Sequence, residues 1–180
     1  MNIPKSVKNK IASYGDWALI TGASSGIGKA LAENIAACGM HVILNARSEG
    51  TLEAMADQLA KEFNIQAIVI ASDLSTQNGI DKVVEETKDI DVGLLVASAG
   101  FGTSGSFAKN TFDEEHAMLK VNCIALFQLT HIFSNRFLKR KKGAIVLLSS
   151  IISFQGAPFA AHYAATKAYV DALETKLNIL

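Results

Sequence analysis

The chain has 180 residues, of which 49% are hydrophobic and 19% are charged. This length and composition predict one globular domain with a sizeable core and exclude a disordered chain. The 17 basic and 17 acidic residues cancel to a net charge of zero, so charge indicates neither nucleic acid nor a membrane surface as a partner.

Short apolar runs alternate along the chain with longer segments of helical periodicity. The apolar runs predict strands at 17–21, 41–46, 66–71, 92–98 and 144–149. The segments between and after them predict helices at 26–39, 49–63, 76–88, 112–139 and 160–180. The strands are continuously apolar, as is typical of strands covered on both faces. The alternation predicts an α/β fold with a Rossmann-type doubly wound parallel sheet in three α/β/α layers. We assign residues 1–14 to an N-terminal extension and 15–180 to the domain.

Neither targeting nor cysteine chemistry is indicated by the sequence. The basic N-terminus is not followed by an apolar run of secretory length, and no run reaches the roughly 20 apolar residues of a membrane span. Cys38 and Cys123 lie in apolar segments without a neighbour at metal-ligand spacing, so we interpret them as buried thiols and predict no metal. We therefore expect a cytoplasmic protein.

A glycine-rich turn joins the first predicted strand to the first helix of the sheet. Glycines at this place permit a tight turn, close approach of backbone N–H groups to a pyrophosphate, and close packing of helix on strand. The helix N-terminus adds a partial positive charge. Glycines also serve ordinary turns, but their position between strand and helix favours a dinucleotide. The candidate contacts are Gly22, Ser24, Ser25, Gly26, Ile27 and Gly28.

The ends of the second and third strands carry candidate contacts for the adenosine part of a dinucleotide. An acidic residue after the second strand would favour NAD(H), whereas this chain has Arg47 and Ser48, which suit a 2′-phosphate. We therefore favour NADP(H) over NAD(H), although a solvated Arg47 before a helix is the alternative. Asp73 and Leu74 follow the third strand, where they either contact adenine or form a turn.

A serine, a tyrosine and a lysine near the end of the chain form a candidate catalytic set. Ser150 ends the fifth strand, and Tyr163 and Lys167 are four residues apart on the last predicted helix, hence on one face. A free tyrosine hydroxyl titrates near pH 10 and is a poor acid at neutrality, but a neighbouring ammonium stabilises its phenolate. The tyrosine can then exchange a proton with a carbonyl or alcohol oxygen, and the serine can donate a hydrogen bond to that oxygen.

The glycine turn, the Tyr163/Lys167 pair and Ser150 thirteen residues before the tyrosine together resemble the classical short-chain dehydrogenase/reductases over roughly residues 15–180. The resemblance implies an NAD(P)-binding Rossmann domain and an oxidoreductase acting on CH–OH/C=O groups. It also implies that Asn122 is a catalytic residue that organises a water linking the lysine to solvent, although a polar residue at a helix kink is the alternative. It further implies cofactor contacts after the fourth strand, at Ser98, Ala99 and Gly100.

Two departures from the family pattern affect what we expect. Ser98 stands where the family usually has asparagine, and a serine makes fewer hydrogen bonds than an amide. The sequence also ends in the helix of Tyr163, before the family's last strands and substrate lid. The strand 144–149 would then be an uncovered apolar edge, so either another chain covers it or the sequence is a fragment of a longer product, which we favour. Such a fragment would bind cofactor weakly and turn over little.

The expected substrate is a hydrophobic small-molecule ketone, aldehyde or secondary alcohol. The pocket candidates, which also suit simple packing, are mostly apolar. They are the segment 101–105, Ile151, Phe154, Pro158 and Phe159.

The resemblance implies a homodimer or homotetramer built on the helix 112–139 and the final helix. The basic run 139–142 is adequately explained by a helix C-terminus. The alternatives are a non-catalytic dinucleotide sensor or scaffold, an inactive fragment, and an isomerase or dehydratase on the same fold.

Overall fold

The structure, a computed structural model, describes residues 3–176 of the chain. Within them lie five strands, one for each predicted apolar run. They are β1 (Trp17–Thr21), β2 (His41–Ala46), β3 (Ala67–Ala71), β4 (Val92–Ala97) and β5 (Ala144–Leu147). The α-helices are α1 (Lys5–Ala12), α2 (Gly26–Ala37), α3 (Glu49–Phe63), α4 (Gln77–Glu86), α5 (Phe112–Leu119), α6 (Leu126–Arg140) and α7 (Ala161–Lys176).

The strands form one parallel sheet in the order β3-β2-β1-β4-β5. The chain runs outward from β1 to β3 and then crosses back to β4 on the other side of β1. This reversal places a crevice between the carboxyl ends of β1 and β4, the point where open α/β sheets bind ligands. The predicted doubly wound fold is therefore confirmed, and it fixes where a ligand site is expected.

Alternate residues of the strands supply the two layers of the core. Ala18 and Ile20 of β1 pack in a cluster with the buried faces of α2 and α3. Leu19, between them, packs on the opposite face with α4 and α6, where Phe133 and Phe137 are almost fully buried. Because both faces of β1 are covered, its first four residues, 17–20, are all apolar, as the sequence pattern indicated.

Several element boundaries differ from the sequence predictions. The predicted single helix 112–139 is interrupted by a π-helical turn, Lys120–Ala125, between α5 and α6. Thr76 is not helical but caps α4, because its Oγ1 accepts the N–H of Gly79 at 3.0 Å. The final helix begins at Ala161, and residues 177–180 of that prediction lie outside the described residues, as do residues 1–2 of the predicted extension.

The predicted N-terminal extension contains a helix that the sequence analysis missed. Only Val7, Ile11 and Ala12 of its eight residues are apolar and none of the eight is buried, so the segment lacks the apolar stripe that reveals the longer helices. Ile11 of α1 and Tyr14, which follows α1, pack against the core cluster of α2 and α3. The division of the chain into an extension and a domain stays a prediction, but this contact attaches α1 to the domain.

The helical segment Phe112–Arg140 contains an 18-residue stretch with a mean hydropathy of 1.3, so by length and composition it could span a membrane, which the sequence analysis did not identify. Its buried apolar residues include Leu129, Phe133 and Phe137, all in the core against the sheet. The core helix of a globular domain meets the same composition test, so this packing accounts for the apolar character of the segment.

Candidate active site

A cleft of about 490 Å³ lies at the carboxyl ends of the strands. Every residue predicted to contact a cofactor lines it, from the glycine turn through Arg47, Asp73 and Ser98 to Tyr163 and Lys167. Residues not predicted from sequence also line it, among them Asn45, Ser72, Ala117, Val121, Leu148 and Ser149. The structure thus brings these separated motifs into one crevice, while the role of each residue remains a prediction.

The glycine turn is shaped by close approach of three backbone segments. Gly22 has a φ of +67°, and a Cβ on it would stand 2.8 Å from the Cα of Ala99. A Cβ on Gly28 would overlap the carbonyl oxygen of Gly22. Gly26, in contrast, has a φ of +55° and open space where its Cβ would be. Gly22 and Gly28 are therefore required by packing. Gly26 leaves room above the N-terminus of α2 for an anionic group.

A threonine not predicted as a site residue connects the glycine turn to the loop after β4. The Oγ1 of Thr21 accepts the backbone N–H groups of Ser98 and Ala99 at 3.1 and 3.0 Å. Thr21 is buried at the end of β1, next to β4 in the sheet. This contact holds the two walls of the crevice at a fixed separation, and it uses the backbone of Ser98 rather than its side chain.

At the end of the cleft beside β2 and β3, Arg47 and Ser48 are exposed, and the first acidic residue after β2 is Glu49, which does not line the cleft. The hydroxyl of Ser48 pairs with that of Thr51 at 2.8 Å. Asp73 forms a turn, because its Oδ1 accepts the N–H of Ser75 at 2.9 Å. Asp73 therefore forms the turn that was one of its two predicted roles. A contact of its carboxylate with adenine remains a prediction.

Asn45 is a buried polar residue of this end that the sequence analysis missed. Its Nδ2 donates to the carbonyl of Ile70 and to the hydroxyl of Ser72, both at 2.8 Å. Its Oδ1 is buried and has no hydrogen-bond partner within the described part of the chain. These bonds hold the ends of β2 and β3 together beneath the cleft, and the apolar run HVILNA gave no signal for them.

At the other end, Tyr163 and Lys167 line the cleft from α7. The Nζ of Lys167 lies 5.8 Å from the centroid of the Tyr163 ring and donates to the carbonyl of Leu148 at 2.8 Å. Burial lowers the pKa of Lys167 below its ordinary value. The predicted neighbours on one helical face are thus close in space, with the lysine largely removed from solvent.

Asn122 lies in the π-helical turn, is 1% exposed, and does not line the cleft. Its Oδ1 accepts the N–H of Phe101, and its Nδ2 donates to the carbonyl of Phe101 and to the Oγ1 of Thr166, all at 2.9 to 3.1 Å. It therefore ties the loop after β4 to α7. Helical turns of this π type are frequent at functional sites.

Ser150 follows β5 but does not line the cleft, whereas Ser149 does. The Oγ of Ser150 accepts the N–H of Ile152 at 3.4 Å and caps the 3₁₀ turn Ile151–Ser153. The hydroxyl of Ser149 donates to the carbonyl of Lys167 at 3.0 Å. The predicted hydrogen bond from Ser150 to a substrate oxygen stays a prediction.

Of the apolar residues predicted to form the substrate pocket, Phe101 lines the cleft. Ile151, Phe154 and Phe159 expose 87%, 83% and 69% of their surface.

A buried carboxylate next to the cleft was not foreseen from the sequence. Glu115 of α5 is 8% exposed and accepts hydrogen bonds from Thr103 and Asn110. Its Oε2 pairs with the Nδ1 of His162 at 2.5 Å. Burial raises the pKa of Glu115, but the bonds from Asn110, Thr103 and His162 lower it by more, so its net pKa lies below the ordinary value.

The lowered pKa of Glu115 predicts a pH-dependent stability. A depressed carboxyl pKa contributes stability that is present above the unfolded pKa and lost as pH falls through the folded one. The free energy of unfolding should therefore fall less steeply on acidification in Glu115→Gln than in wild type. Urea unfolding between about pH 3 and pH 7, followed by Trp17 fluorescence, measures this difference. The control is Glu114→Gln, and equal slopes for Glu115→Gln and wild type would contradict the prediction.

Comparison with known proteins agrees with this geometry. The family described as short chain dehydrogenase matches residues 16–178. A 7β-hydroxysteroid dehydrogenase of Clostridium sardiniense is 34% identical over 157 residues, 87% of this chain and 60% of that protein. The inactive hydroxysteroid dehydrogenase-like protein 1 of Homo sapiens is 35% identical over 164 residues, 89% of this chain and 50% of that protein.

Solved structures share the same fold. A short-chain dehydrogenase from Sphingobium yanoikuyae in complex with NADPH superposes with a TM-score of 0.87 at 34% identity, covering 90% of this chain and 64% of that one. The chain thus spans between half and just under two thirds of the length of these three relatives.

Proposed function

Because the chain belongs to the short-chain dehydrogenase family, we propose that its cleft binds a nicotinamide dinucleotide and exchanges hydride with a carbonyl or secondary alcohol. The observation that carries this proposal is the arrangement of the cleft. A glycine turn suited to phosphate lines one part of it, and the Tyr163/Lys167 pair lines another. A protein that only bound the nucleotide would have no use for a proton donor at that place.

The residues of the cleft fit such a cofactor. The open space above Gly26 and the backbone N–H groups of the turn suit a pyrophosphate at the N-terminus of α2. Arg47 and Asp73 would hold the adenosine part, together with Ser48 and Leu74. The segment 98–100 and the Tyr163/Lys167 pair would hold the nicotinamide part.

When bound, the cofactor supplies or accepts the hydride at the substrate carbon. The side chains of the chain then handle the oxygen. In reduction, the Tyr163 hydroxyl gives its proton to the oxygen as the C–O double bond becomes single, and Lys167 stabilises the resulting phenolate. Ser150 would donate its hydroxyl hydrogen to the same oxygen, because in its cap on the 3₁₀ turn the hydroxyl only accepts. Oxidation of an alcohol runs through the same contacts in reverse.

NADP(H) is the preferred cofactor in this proposal, and Arg47 carries the preference. Arg47→Ala should raise the Kd for NADPH about tenfold to a hundredfold, because a charge-assisted hydrogen bond to the 2′-phosphate is lost. The Kd for NADH, which lacks that phosphate, should change less than about twofold. Fluorescence titration with both nucleotides measures this, with Lys61→Ala as a control for lost charge. Equal weakening toward both nucleotides would show that Arg47 does not read the phosphate.

Bulky apolar carbonyl compounds or alcohols are the proposed substrates. Phe101 lines the cleft, and the strongly exposed Ile151, Phe154 and Phe159 lie in segments that flank it. The relative from Clostridium sardiniense is named for a hydroxysteroid, a substrate of this class. A panel of aromatic and polycyclic ketones, followed by loss of NADPH absorbance, tests the class; preference for small polar ketones would contradict it.

A non-catalytic nucleotide-binding role is the second candidate. It is favoured by one observation, the 35% identity to a hydroxysteroid dehydrogenase-like protein named as inactive. Binding of NADPH without turnover of any carbonyl compound would support this candidate.

We also propose a cytoplasmic homodimer or homotetramer built on α6 and α7, where Phe127, Leu138 and Tyr169 are 40% to 50% exposed. Light scattering tests the assembly.

A further inference from the structure

Glu115 connects three segments of the chain through its two carboxylate oxygens. Its Oε1 accepts from the Thr103 hydroxyl at 2.7 Å and from the Asn110 amide at 2.6 Å. Its Oε2 pairs with His162 Nδ1 at 2.5 Å. Thr103 and Asn110 lie in the irregular segment 98–111 between β4 and α5, whereas His162 lies in the first turn of α7.

These segments form the surroundings of Tyr163. His162 directly precedes it, and a Cβ on Gly102 would stand 3.1 Å from the Tyr163 ring, so the backbone of the irregular segment packs against that ring. The N–H of Gly105 also donates to the carbonyl of Phe159 at 2.9 Å. A shift of the segment relative to α7 would therefore move or release the tyrosine ring.

Burying a carboxylate is costly unless it is well hydrogen-bonded. Here three donors surround Glu115, and its place in the first turn of α5 adds the favourable helix dipole. An apolar side chain would fill the same space without that cost, but it would leave the irregular segment without its acceptor. The hydrogen bonds that offset the cost of burying the Glu115 carboxylate are thus the same bonds that hold the irregular segment against α7.

We propose that Glu115 is a positioning residue that, through His162 and the irregular segment, fixes the Tyr163 ring at the nicotinamide end of the cleft. The proposal rests on the proposed function, in which Tyr163 transfers the proton. Misplacement of a reacting group by about 1 Å can cost about a hundredfold in rate. Fixing the ring is therefore a substantial contribution even though Glu115 does not itself line the cleft.

Two substitutions of similar size separate this role from packing and from charge. Glu115→Met keeps most of the volume but removes both acceptors. Glu115→Gln keeps an acceptor for Thr103 and Asn110 and places an amide donor toward a neutral His162. Glu114→Met, in the same turn and exposed, is the control for loss of one negative charge.

The test combines hydride transfer with hydrogen exchange. Glu115→Met should lower kcat about tenfold to a hundredfold with the Kd for NADPH within about twofold of wild type, and Glu115→Gln should recover kcat to within about threefold. Amides of 101–110 and of the first turn of α7 should exchange faster in Glu115→Met, while those of β1 and α2 keep their protection. The double variant Glu115→Met/His162→Leu should be no worse than the poorer single variant.

Two outcomes would overturn the proposal. Wild-type kcat in Glu115→Met would show that the hydrogen bonds do not position the tyrosine. Equal loss in Glu115→Gln and Glu115→Met would show that charge, rather than hydrogen-bond geometry, is required. Absence of wild-type turnover would contradict the proposed function instead, and hydrogen exchange would then decide the positioning role alone: faster exchange confined to the two segments supports it, and unchanged or uniform exchange overturns it.

Discussion

Tyr163→Phe is expected to lower turnover by about 10²- to 10⁴-fold while leaving the Kd for NADPH within about twofold of wild type. The substitution removes one oxygen, the proposed proton donor, and keeps the ring that packs against Gly102. Lys167 keeps its hydrogen bond to the carbonyl of Leu148, so the helix and the cleft retain their geometry. Steady-state rates and fluorescence titration measure the two effects separately.

The matched control is Tyr169→Phe, which removes the same atom from the same helix. Tyr169 is 40% exposed and does not line the cleft. Its variant should therefore keep both turnover and NADPH affinity. If Tyr163→Phe turned over at the wild-type rate, the assignment of the proton donor would be wrong. If it lost NADPH affinity as well, the ring would serve binding rather than proton transfer.

Gly28→Ala is expected to weaken NADPH binding about tenfold to a hundredfold. The added Cβ would overlap the carbonyl of Gly22 and stand 2.8 Å from the Oγ of Ser98, so α2 must move away from the turn. Overpacking of this kind typically costs about 1–3 kcal/mol, and each 1.4 kcal/mol corresponds to about tenfold in affinity. The shift also withdraws the helix N-terminus from the phosphate site.

Gly50→Ala is the control for this substitution. Gly50 lies in α3, and nothing lies within 4 Å of the place its Cβ would occupy. Alanine should stabilise that helix by up to about 1 kcal/mol and leave NADPH affinity unchanged. Thermal unfolding of both variants separates loss of the fold from loss of the site. Unchanged affinity in Gly28→Ala would show that the glycine turn does not contact the nucleotide.

The parts of the fold and site that could be predicted share a local origin. The continuous apolar run of β1 shows burial on both faces, and the glycines that follow it are adjacent in the chain. Tyr163 and Lys167 share a helical face because of their spacing alone. Once the sheet order is known, the motifs at the ends of β1, β2, β3 and β4 must meet at one edge.

The parts that could not be predicted depend on packing between distant segments. Glu115 and His162 are 47 residues apart, and neither lies in a pattern that indicates a partner. The amphipathic pattern of 112–139 predicts a helix but does not distinguish the π-helical turn at Asn122 from a regular one. The cap that Ser150 forms on the 3₁₀ turn likewise follows from the path of the chain after β5, which residue type alone does not specify.

Deuterium transfer from NADPH labelled at the nicotinamide C4 shows directly whether the cleft transfers hydride. The chain is incubated with the labelled nucleotide and a bulky apolar ketone, and the alcohol formed is analysed by mass spectrometry. We expect deuterium on the carbinol carbon in wild type, and an alcohol yield in Tyr163→Phe that is reduced by at least about a hundredfold. An NADPH-saturated wild-type protein that forms no deuterated alcohol from any ketone of the panel would contradict hydride transfer and leave nucleotide binding as the function of the cleft.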